Sequence, residues 1–340
     1  MILTASHRSL DNRPWLLQTR SADVDEHCAD LGGWRLTYDQ ISAGAFRGSF
    51  TQISLPQLDI FHEVTSQQVR QSGQLGHGCF GLAVPCRGEG PIHVNGTAVP
   101  QDALILSFDG DVDLGTPRGS ELRGLTISTQ QIDDIIVQLA IELPHDLKHR
   151  MRAVAVPPQA LRRFRGLLAA IDAMAREHDD GIDPAAVCEA QQNALLIEIA
   201  DMLPSARPCD DISSGTARKR IVDRACEMML TAADEPVSML DICKAVGASR
   251  RKLSYCFQDV LGTSPVTYWR AVRLNRVRRD LKSDRDPRDG IYDIAVRHGF
   301  WHFSQFSLDY KRHFAELPSE TLRRARMDAS RQLRHNSAHH

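Results

Sequence analysis

Two stretches near the C-terminal end of the chain show the same order of apolar and polar positions. In the later one, Phe303, Phe306, Tyr310 and Phe314 recur at spacings of three and four residues, which predicts one buried stripe along an α-helix. A shorter apolar face precedes this stripe and ends at Gly299, a residue suited to a tight turn. The pattern therefore predicts a helix, a turn and a second helix with a polar, basic outer face.

The earlier stretch repeats this arrangement. Ser238 and Ser249 are candidate N-caps of two helices, Gly247 is a candidate turn residue, and Leu253 and Phe257 face inward from the second helix. A long helix over residues 264–282 is predicted to bridge the two stretches. It carries five arginines that wind around it and cannot all meet one partner: Arg270, Arg273, Arg276, Arg278 and Arg279.

The N-terminal half has a different pattern. From Phe46 to about residue 128, short alternating or β-branched segments are separated by turn signals such as Asn95–Gly96, which favours an all-β barrel or sandwich. From about 130 to 203 the apolar residues recur with a helical period. Residues 204–216 are polar and rich in Pro and Ser, as is typical of a linker. The fold class we predict is therefore α+β, with an all-α domain at the C-terminal end.

The C-terminal third resembles the signature of the AraC/XylS family of bacterial transcription regulators. The matching residues are Ile294–Ala295, Gly299–Phe300, Phe306, Tyr310–Lys311, Phe314 and Leu317–Pro318–Ser319. One departure is Ala315, because a glycine commonly follows the Phe at this place, and it bears on the turn after the helix. The sequence of this stretch is similar to that of regulators of ethanolamine use and of aromatic-acid catabolism. This similarity implies that the protein regulates a catabolic or stress operon.

The resemblance also implies a domain organisation. The implied order is a cupin-like β-barrel, dimerisation helices, a linker, a DNA-binding domain with two helix-turn-helix units, and a tail. The corresponding ranges are a sensing and dimerisation half over 1–203 (barrel about 46–128, helices about 130–203), a linker over 204–216, a DNA-binding domain over 217–326 and a tail over 327–340.

Recognition helices read base edges through exposed side chains, chiefly in their N-terminal halves. By resemblance to the family, the candidate DNA contacts are Arg250, Arg251, Lys252, Ser254 and Tyr255 in the first unit, and His302, Ser304, Gln305, Ser307, Lys311 and Arg312 in the second. Arginine can donate two hydrogen bonds to guanine and glutamine can bond adenine, whereas contact with phosphate alone is the alternative. Phe303 either contacts a thymine methyl group or extends the core stripe, and we expect the core.

Charge divides the chain in the same way. Residues 216–340 carry 24 Lys and Arg against 15 Asp and Glu, whereas residues 1–215 carry 17 against 28. A basic third joined to an acidic remainder indicates that the C-terminal part meets a polyanion, and double-stranded DNA is the partner we expect. The chain has no run of 18 apolar residues and its first residues lack a signal-peptide core, so we expect a cytoplasmic protein that does not enter the membrane.

The N-terminal half has two non-enzymatic interpretations, binding of a small-molecule effector or control by a protein partner. Candidate effector contacts in strand-like segments are His62, Arg70, His77 and His93. These histidines are scattered singly without an HxH pair, and none of the eight cysteines forms a CxxC pair, so we expect no metal, no cofactor and no enzyme. A redox switch at Cys79 and Cys86 is a further alternative. Pro85–Cys86–Arg87 lacks the histidine of the Pro-Cys-His-Arg site of alkyl-DNA repair transferases.

Two apolar stripes on the helices after the barrel predict a homodimer or, equally, packing on the barrel. Their members are Leu167, Leu168, Ile171 and Met174 in one stripe, and Leu195, Leu196, Ile199 and Met202 in the other. The family resemblance also implies RNA polymerase as a partner and activation as the usual mode of regulation. The effector, the operator and the regulated genes do not follow from the residues.

Overall fold

The computed structural model describes residues 15–31, 33–76, 78–108, 110–138, 151–176, 184–209, 212–231, 238–283 and 290–337. The chain forms two compact units. The first consists of Met1–Tyr38 and Arg47–Ala217, and the second of Asp39–Phe46 and Arg218–His340. A short segment of the N-terminal half therefore belongs to the C-terminal unit, which no pattern in the sequence indicates.

The first unit is built on two antiparallel sheets. The larger sheet has, in spatial order, the strands β1 (Leu16–Ser21), β3 (Gly48–Ser54), β4 (Leu58–Thr65), β11 (Ser120–Ser128), β6 (Cys79–Arg87), β9 (Leu104–Ser107), β12 (Arg152–Ala155) and β13 (Arg207–Pro208). The smaller sheet has β2 (Arg35–Gln40), β5 (Val69–Gln74), β10 (Asp111–Thr116), β7 (Ile92–Val94) and β8 (Thr97–Val99). Asn95–Gly96 forms the predicted two-residue turn between β7 and β8. The α+β class with an N-terminal antiparallel β-domain is confirmed.

Helices cover one side of the larger sheet's core. The helices of this unit are α1 (Val24–Ala29), α2 (Thr129–Gln138), α3 (Pro158–Arg176) and α4 (Pro184–Met202). Leu168 and Ile171 of α3 lie in one apolar core with Leu195 and Ile199 of α4 and with residues of the sheet. Most of the two stripes considered for dimerisation thus pack within their own unit, while Met174 is 48% exposed. No helix in the described ranges is long and apolar enough to cross a membrane.

Part of the stretch predicted as a linker, 204–216, has regular structure. Arg207–Pro208 forms β13 and pairs with β12, and the amide of Cys209 donates to the carbonyl of Ala153 at 3.0 Å. The next helix, α5 (Ile212–Thr231), begins inside the same stretch. The polar composition does not prevent a strand here, because a sheet edge offers backbone partners regardless of side chain.

The second unit has seven helices in the part of the chain that the structure describes. They are α5, α6 (Met239–Ala245), α7 (Arg250–Leu261), α8 (Pro265–Lys282), α9 (Ile291–Arg297), α10 (Phe303–Phe314) and α11 (Pro318–Ser337). Leu253 and Phe257 lie in one core, and Phe306 and Tyr310 lie in another. Helix α8 belongs to both, since its first half packs in the first core and its second half in the other.

Ala315 adopts the left-handed conformation that ends α10, with φ 59° and ψ 18°, as Gly262 does for α7 with φ 64°. The turn is therefore kept although the glycine is absent, at the cost of a strained Cβ. We expect Ala315→Gly to raise the free energy of unfolding by up to about 1 kcal/mol. The matched change Gly262→Ala should lower it by a similar amount, and urea titrations in which both changes have the same sign would contradict this explanation.

Candidate nucleic-acid interface

Two helix pairs, α6 with α7 and α9 with α10, have the same local construction. In each pair a glycine with positive φ makes the turn, Gly247 at 63° and Gly299 at 76°. In each, the amide of the residue after the glycine donates to the carbonyl five residues earlier, at 3.0 Å. The N-caps Ser249 and His302 are 53 positions apart, as are the C-caps of α7 and α10. The chain therefore carries two structurally equivalent helix-turn-helix units.

Helix α7 of the first helix-turn-helix unit exposes a cluster of cations at its N-terminal end. The Ser249 hydroxyl accepts from the amide of Lys252 at 3.2 Å and starts the helix, which buries Leu253 and Phe257. The candidates on the opposite face are exposed: Arg250, Arg251, Lys252, Ser254 and Tyr255. Within the described ranges, no ion pair involves the three cations of this face. Their charge is thus available to an anionic partner.

Helix α10 of the second helix-turn-helix unit differs from α7 in its outer face. Of the candidates here, five are exposed and one is half-buried: His302, Ser304, Gln305, Lys311 and Arg312 are exposed, and Ser307 is half-buried. Gln305 Nε2 donates to Asp309 Oδ1 at 3.0 Å, and Arg312 lies 3.8 Å from the same carboxylate. Part of the hydrogen-bonding capacity of this helix is therefore used within the protein.

Large apolar side chains also lie on the surface of the second helix-turn-helix unit. Phe303 is 40% exposed while its ring centroid lies 5.8 Å from that of Phe306, so it both borders the core and faces outward. Trp301 and Leu308 are 58% and 60% exposed. Trp301 was not among the sequence candidates because it lies outside the apolar stripe. Its place between the turn glycine and the recognition helix is the signal that could have identified it.

The arginines of α8 serve mostly to join helices. Arg278 is buried, with Nη1 2.6 Å from Glu316 Oε1. Arg273 donates to the carbonyl of Gly299, in the turn of the second helix-turn-helix unit, at 3.1 Å. Burial, followed by the nearby charge of Arg270, lowers the pKa of Arg273 to about 10. Arg279 pairs with Asp39 at 2.8 Å. These contacts leave few α8 cations for a ligand, as the winding of the arginines suggests.

A small apolar cavity lies in the N-terminal compact unit, between its two sheets. Its volume is about 40 Å³, and apolar residues line most of it. The lining contains Glu63 and Gln71 but none of His62, Arg70 or His93, and His77 lies outside the described residues. Side chains alternate along a strand, so His62 and Arg70 face away from the cavity that their neighbours line. His93 lies on β7, which contributes no residue to the lining.

The three described candidates have other neighbours. His62 lies between Glu121 at 3.1 Å and Asp172 at 3.2 Å, on the side that meets α3. Arg70 lies 3.3 Å from Asp113 on the paired strand β10. His93 is buried, with 8% of its surface exposed. Their contacts are those of side chains that hold the unit together.

Glu63 is the main polar group on the cavity wall. Its carboxylate accepts from the Tyr38 hydroxyl at 2.9 Å and from Gln71 Nε2 at 3.2 Å, and His27 Nε2 lies 2.9 Å away. Burial, followed by the charge of Glu63, raises the pKa of Tyr38 well above its ordinary value, so the phenol stays protonated and donates. The cavity therefore combines a largely apolar lining with a buried carboxylate.

Cys79 and Cys86 lie at opposite ends of strand β6. Seven residues of extended chain separate them by about 23 Å, whereas a disulfide requires Cα atoms within about 7 Å. Burial raises the pKa of both thiols, which disfavours the reactive thiolate. No disulfide between these two cysteines can form within the folded unit. Among the described residues, no group of three His, Cys, Asp or Glu is placed to hold a metal ion.

Comparisons with known proteins agree with this geometry. A family model described as a helix-turn-helix domain matches residues 242–324, which include both units. The probable thc operon regulatory protein of Rhodococcus erythropolis is 26% identical over 291 residues, covering 81% of this chain and 83% of that protein. The XylDLEGF operon transcriptional activator 1 of Pseudomonas putida is 32% identical over 91 residues, covering 27% of this chain and 28% of that protein.

One solved structure is similar in sequence to about a third of the chain. It is a transcriptional regulator from Chromobacterium violaceum, described as having an AraC-type DNA-binding domain, which is 33% identical and is covered over 96% of its length by 32% of this chain, with a TM-score of 0.29.

Two helix-turn-helix units that share one bridging helix, with exposed cations on a recognition helix, define a DNA-binding transcription regulator. The chain belongs to the AraC/XylS family of helix-turn-helix transcription regulators. It is therefore a regulator and not an enzyme.

Proposed function

We propose that this protein regulates a catabolic operon in response to a small molecule, by placing α7 and α10 in two successive major-groove segments on one face of DNA. The observation that carries the proposal is the sharing of α8 by the cores of both units. A shared rigid helix holds two readers in register, and successive major-groove segments repeat about every 34 Å. Bending of the duplex then brings both segments within reach.

The two readers have different chemistry. Arg250 and Arg251 are exposed on the first turn of α7, where arginine can donate two hydrogen bonds to guanine. Lys252 and, on α10, Lys311 and Arg312 are suited to phosphate, and Ser254, Tyr255, His302, Ser304 and Ser307 complete the proposed interface. Gln305 must release Asp309 to bond adenine. We infer that α7 discriminates bases more sharply than α10, whose outer apolar residues suit thymine methyl groups.

The compact unit that contains the two sheets is the proposed sensing half. Residues 1–203 would form a cupin-like barrel with helices behind it, and residues 217–326 the DNA-binding domain. The cavity beside Glu63, at about 40 Å³, is far below the roughly 300 Å³ of a typical ligand pocket, so an effector would enter only if the two sheets moved apart. The Glu63 carboxylate would then favour a ligand that donates a hydrogen bond or carries positive charge. Thermal stabilisation of the full-length protein by candidate nutrients would identify it.

Homodimerisation and activation through RNA polymerase are further parts of the proposal. Since most of the α3 and α4 stripes pack internally, a dimer would use outward positions such as Met174 and Ile197, which are 48% and 60% exposed. Sedimentation that shows a monomer at micromolar concentration would contradict the dimer.

The first test is recovery of bound fragments from sheared genomic DNA, with Arg251→Ala protein run alongside. We expect a few enriched promoters with paired half-sites, and a footprint that covers two successive major-groove segments. The single change should reduce this enrichment. A footprint limited to one segment would contradict the two-reader arrangement, and no enrichment with or without candidate effectors would contradict the function.

A further inference from the structure

A short segment of the N-terminal half, Asp39–Phe46, is part of the helical unit, and we call it the clamp segment. Gln40 is buried, with 1% of its surface exposed. Ile41, which follows it, lies in the core of the first helix-turn-helix unit together with Val222 and Phe257. Gln40 and Ile41 are therefore buried inside the helical unit, whereas Ala43 and Ala45 of the same segment are exposed.

The backbone of Gln40 is joined to the middle of the bridging helix. Its amide donates to Asn275 Oδ1 at 3.2 Å, and Asn275 Nδ2 donates to the Gln40 carbonyl at 2.9 Å. Asn275 is 1% exposed and lies between Val272 of the first core and Val277 of the second. A buried amide that satisfies both backbone groups of one residue is a specific contact, because leaving them unpaired would be costly.

The clamp segment also holds the end of the second recognition helix. Gln40 Nε2 and the amide of Gly44 both donate to the carbonyl of His313, at 2.8 and 2.9 Å. In return, His313 Nε2 lies 3.0 Å from the Gln40 carbonyl. The last turn of a helix leaves carbonyls without partners inside the helix, and here the clamp segment supplies them. Asp39 adds an ion pair to Arg279 of α8.

The clamp segment thus reaches both helix-turn-helix units, through Ile41 in one core and through Gln40 and Gly44 at the end of α10. We propose that it fixes the orientation of α7 relative to α10, and so sets the spacing at which the protein binds DNA. This inference rests on the proposed two-segment binding. Helix α8 by itself is a single rod that can bend, whereas a second connection across its midpoint restrains it.

The test is Gln40→Met in the full-length protein, which keeps the side-chain volume and removes the Nε2 hydrogen bonds. Gln101→Met is the matched control, since Gln101 is an exposed residue of the first unit. The probes are a genomic fragment recovered with wild-type protein and the same fragment with one half-site scrambled. We expect the preference for the intact fragment to fall at least about tenfold in Gln40→Met and to be unchanged in Gln101→Met.

Hydrogen exchange gives a second readout that needs no DNA. Amides in the second half of α8 and at the end of α10 should lose protection in Gln40→Met, while those of α3 keep it. Unchanged protection would overturn the clamp. Lost protection with an unchanged preference for the intact fragment would overturn its role in spacing. If wild-type protein selects no DNA, the proposed function fails first, and hydrogen exchange still decides whether the segment restrains the helices.

Discussion

Replacing both Arg250 and Arg251 by alanine should weaken binding to the selected DNA fragments by about 100-fold, since two arginine contacts of at least tenfold each would be lost. The expectation rests on the exposure of both side chains at the start of α7 and on their freedom from ion pairs among the described residues. Their removal breaks no contact that holds the unit together, so the unfolding transition should stay within about 0.5 kcal/mol of wild type.

Titrations at several salt concentrations separate the two possible roles of these arginines. Loss of a phosphate contact lowers the dependence of binding on salt by about one unit of slope for each contact, whereas loss of a base contact relaxes sequence preference. Arg162→Ala is the control, because Arg162 is an exposed arginine of α3 in the first unit. A loss of less than about threefold in the double variant would show that α7 does not read this DNA.

The stability of the helical unit should fall as the pH is lowered from about 6.5 towards 4. Burial lowers the pKa of His313 from 6.5 to about 4, with the Arg278 charge acting in the same direction and the Gln40 carbonyl opposing it. The unfolded chain therefore takes up this proton at a higher pH than the folded chain. The contribution is complete above pH 6.5 and is lost through pH 4, about 3 kcal/mol in all.

The comparison that isolates this effect is His313→Gln, which keeps a donor for the Gln40 carbonyl and does not titrate. Between pH 7.5 and 5, urea unfolding followed by far-ultraviolet circular dichroism should show wild type losing about 2 kcal/mol more than the variant. Carboxylates with lowered pKa values, such as Asp172 and Glu316, titrate in both proteins and cancel. Equal losses in the two proteins would mean that His313 is not buried as the structure has it.

The helical unit could be predicted closely from sequence, because its information is local. A serine before each helix of the first unit, a glycine in each turn and apolar residues three and four apart define helices whatever the rest of the chain does. The 53-residue repeat of the recognition helices follows the same signals. Ala315 shows the limit, since the turn persists without its glycine because the surrounding core determines the backbone.

The fold of the N-terminal half could be predicted only in class. Alternation predicted short strands between Phe46 and about residue 128, but strands such as β12 and β13 depend on partners far away in the chain. The two faces of a strand show the same limit at a single residue. His62 and Arg70 lie one position away from Glu63 and Gln71, which line the cavity, and a half-turn of the strand separates the two faces.

Local patterns in the sequence suffice to predict two helix-turn-helix units, the residues that face outward from α7 and the basic charge of this part of the chain. The folded structure was needed to show which arginines of α8 are internal, which strand face meets the cavity, and that residues 39–46 belong to the helical unit. The physical reason is separation along the chain. Helical periodicity and capping are written within a few residues, whereas the contact of Gln40 with Asn275 joins positions 235 residues apart, and no local pattern records it.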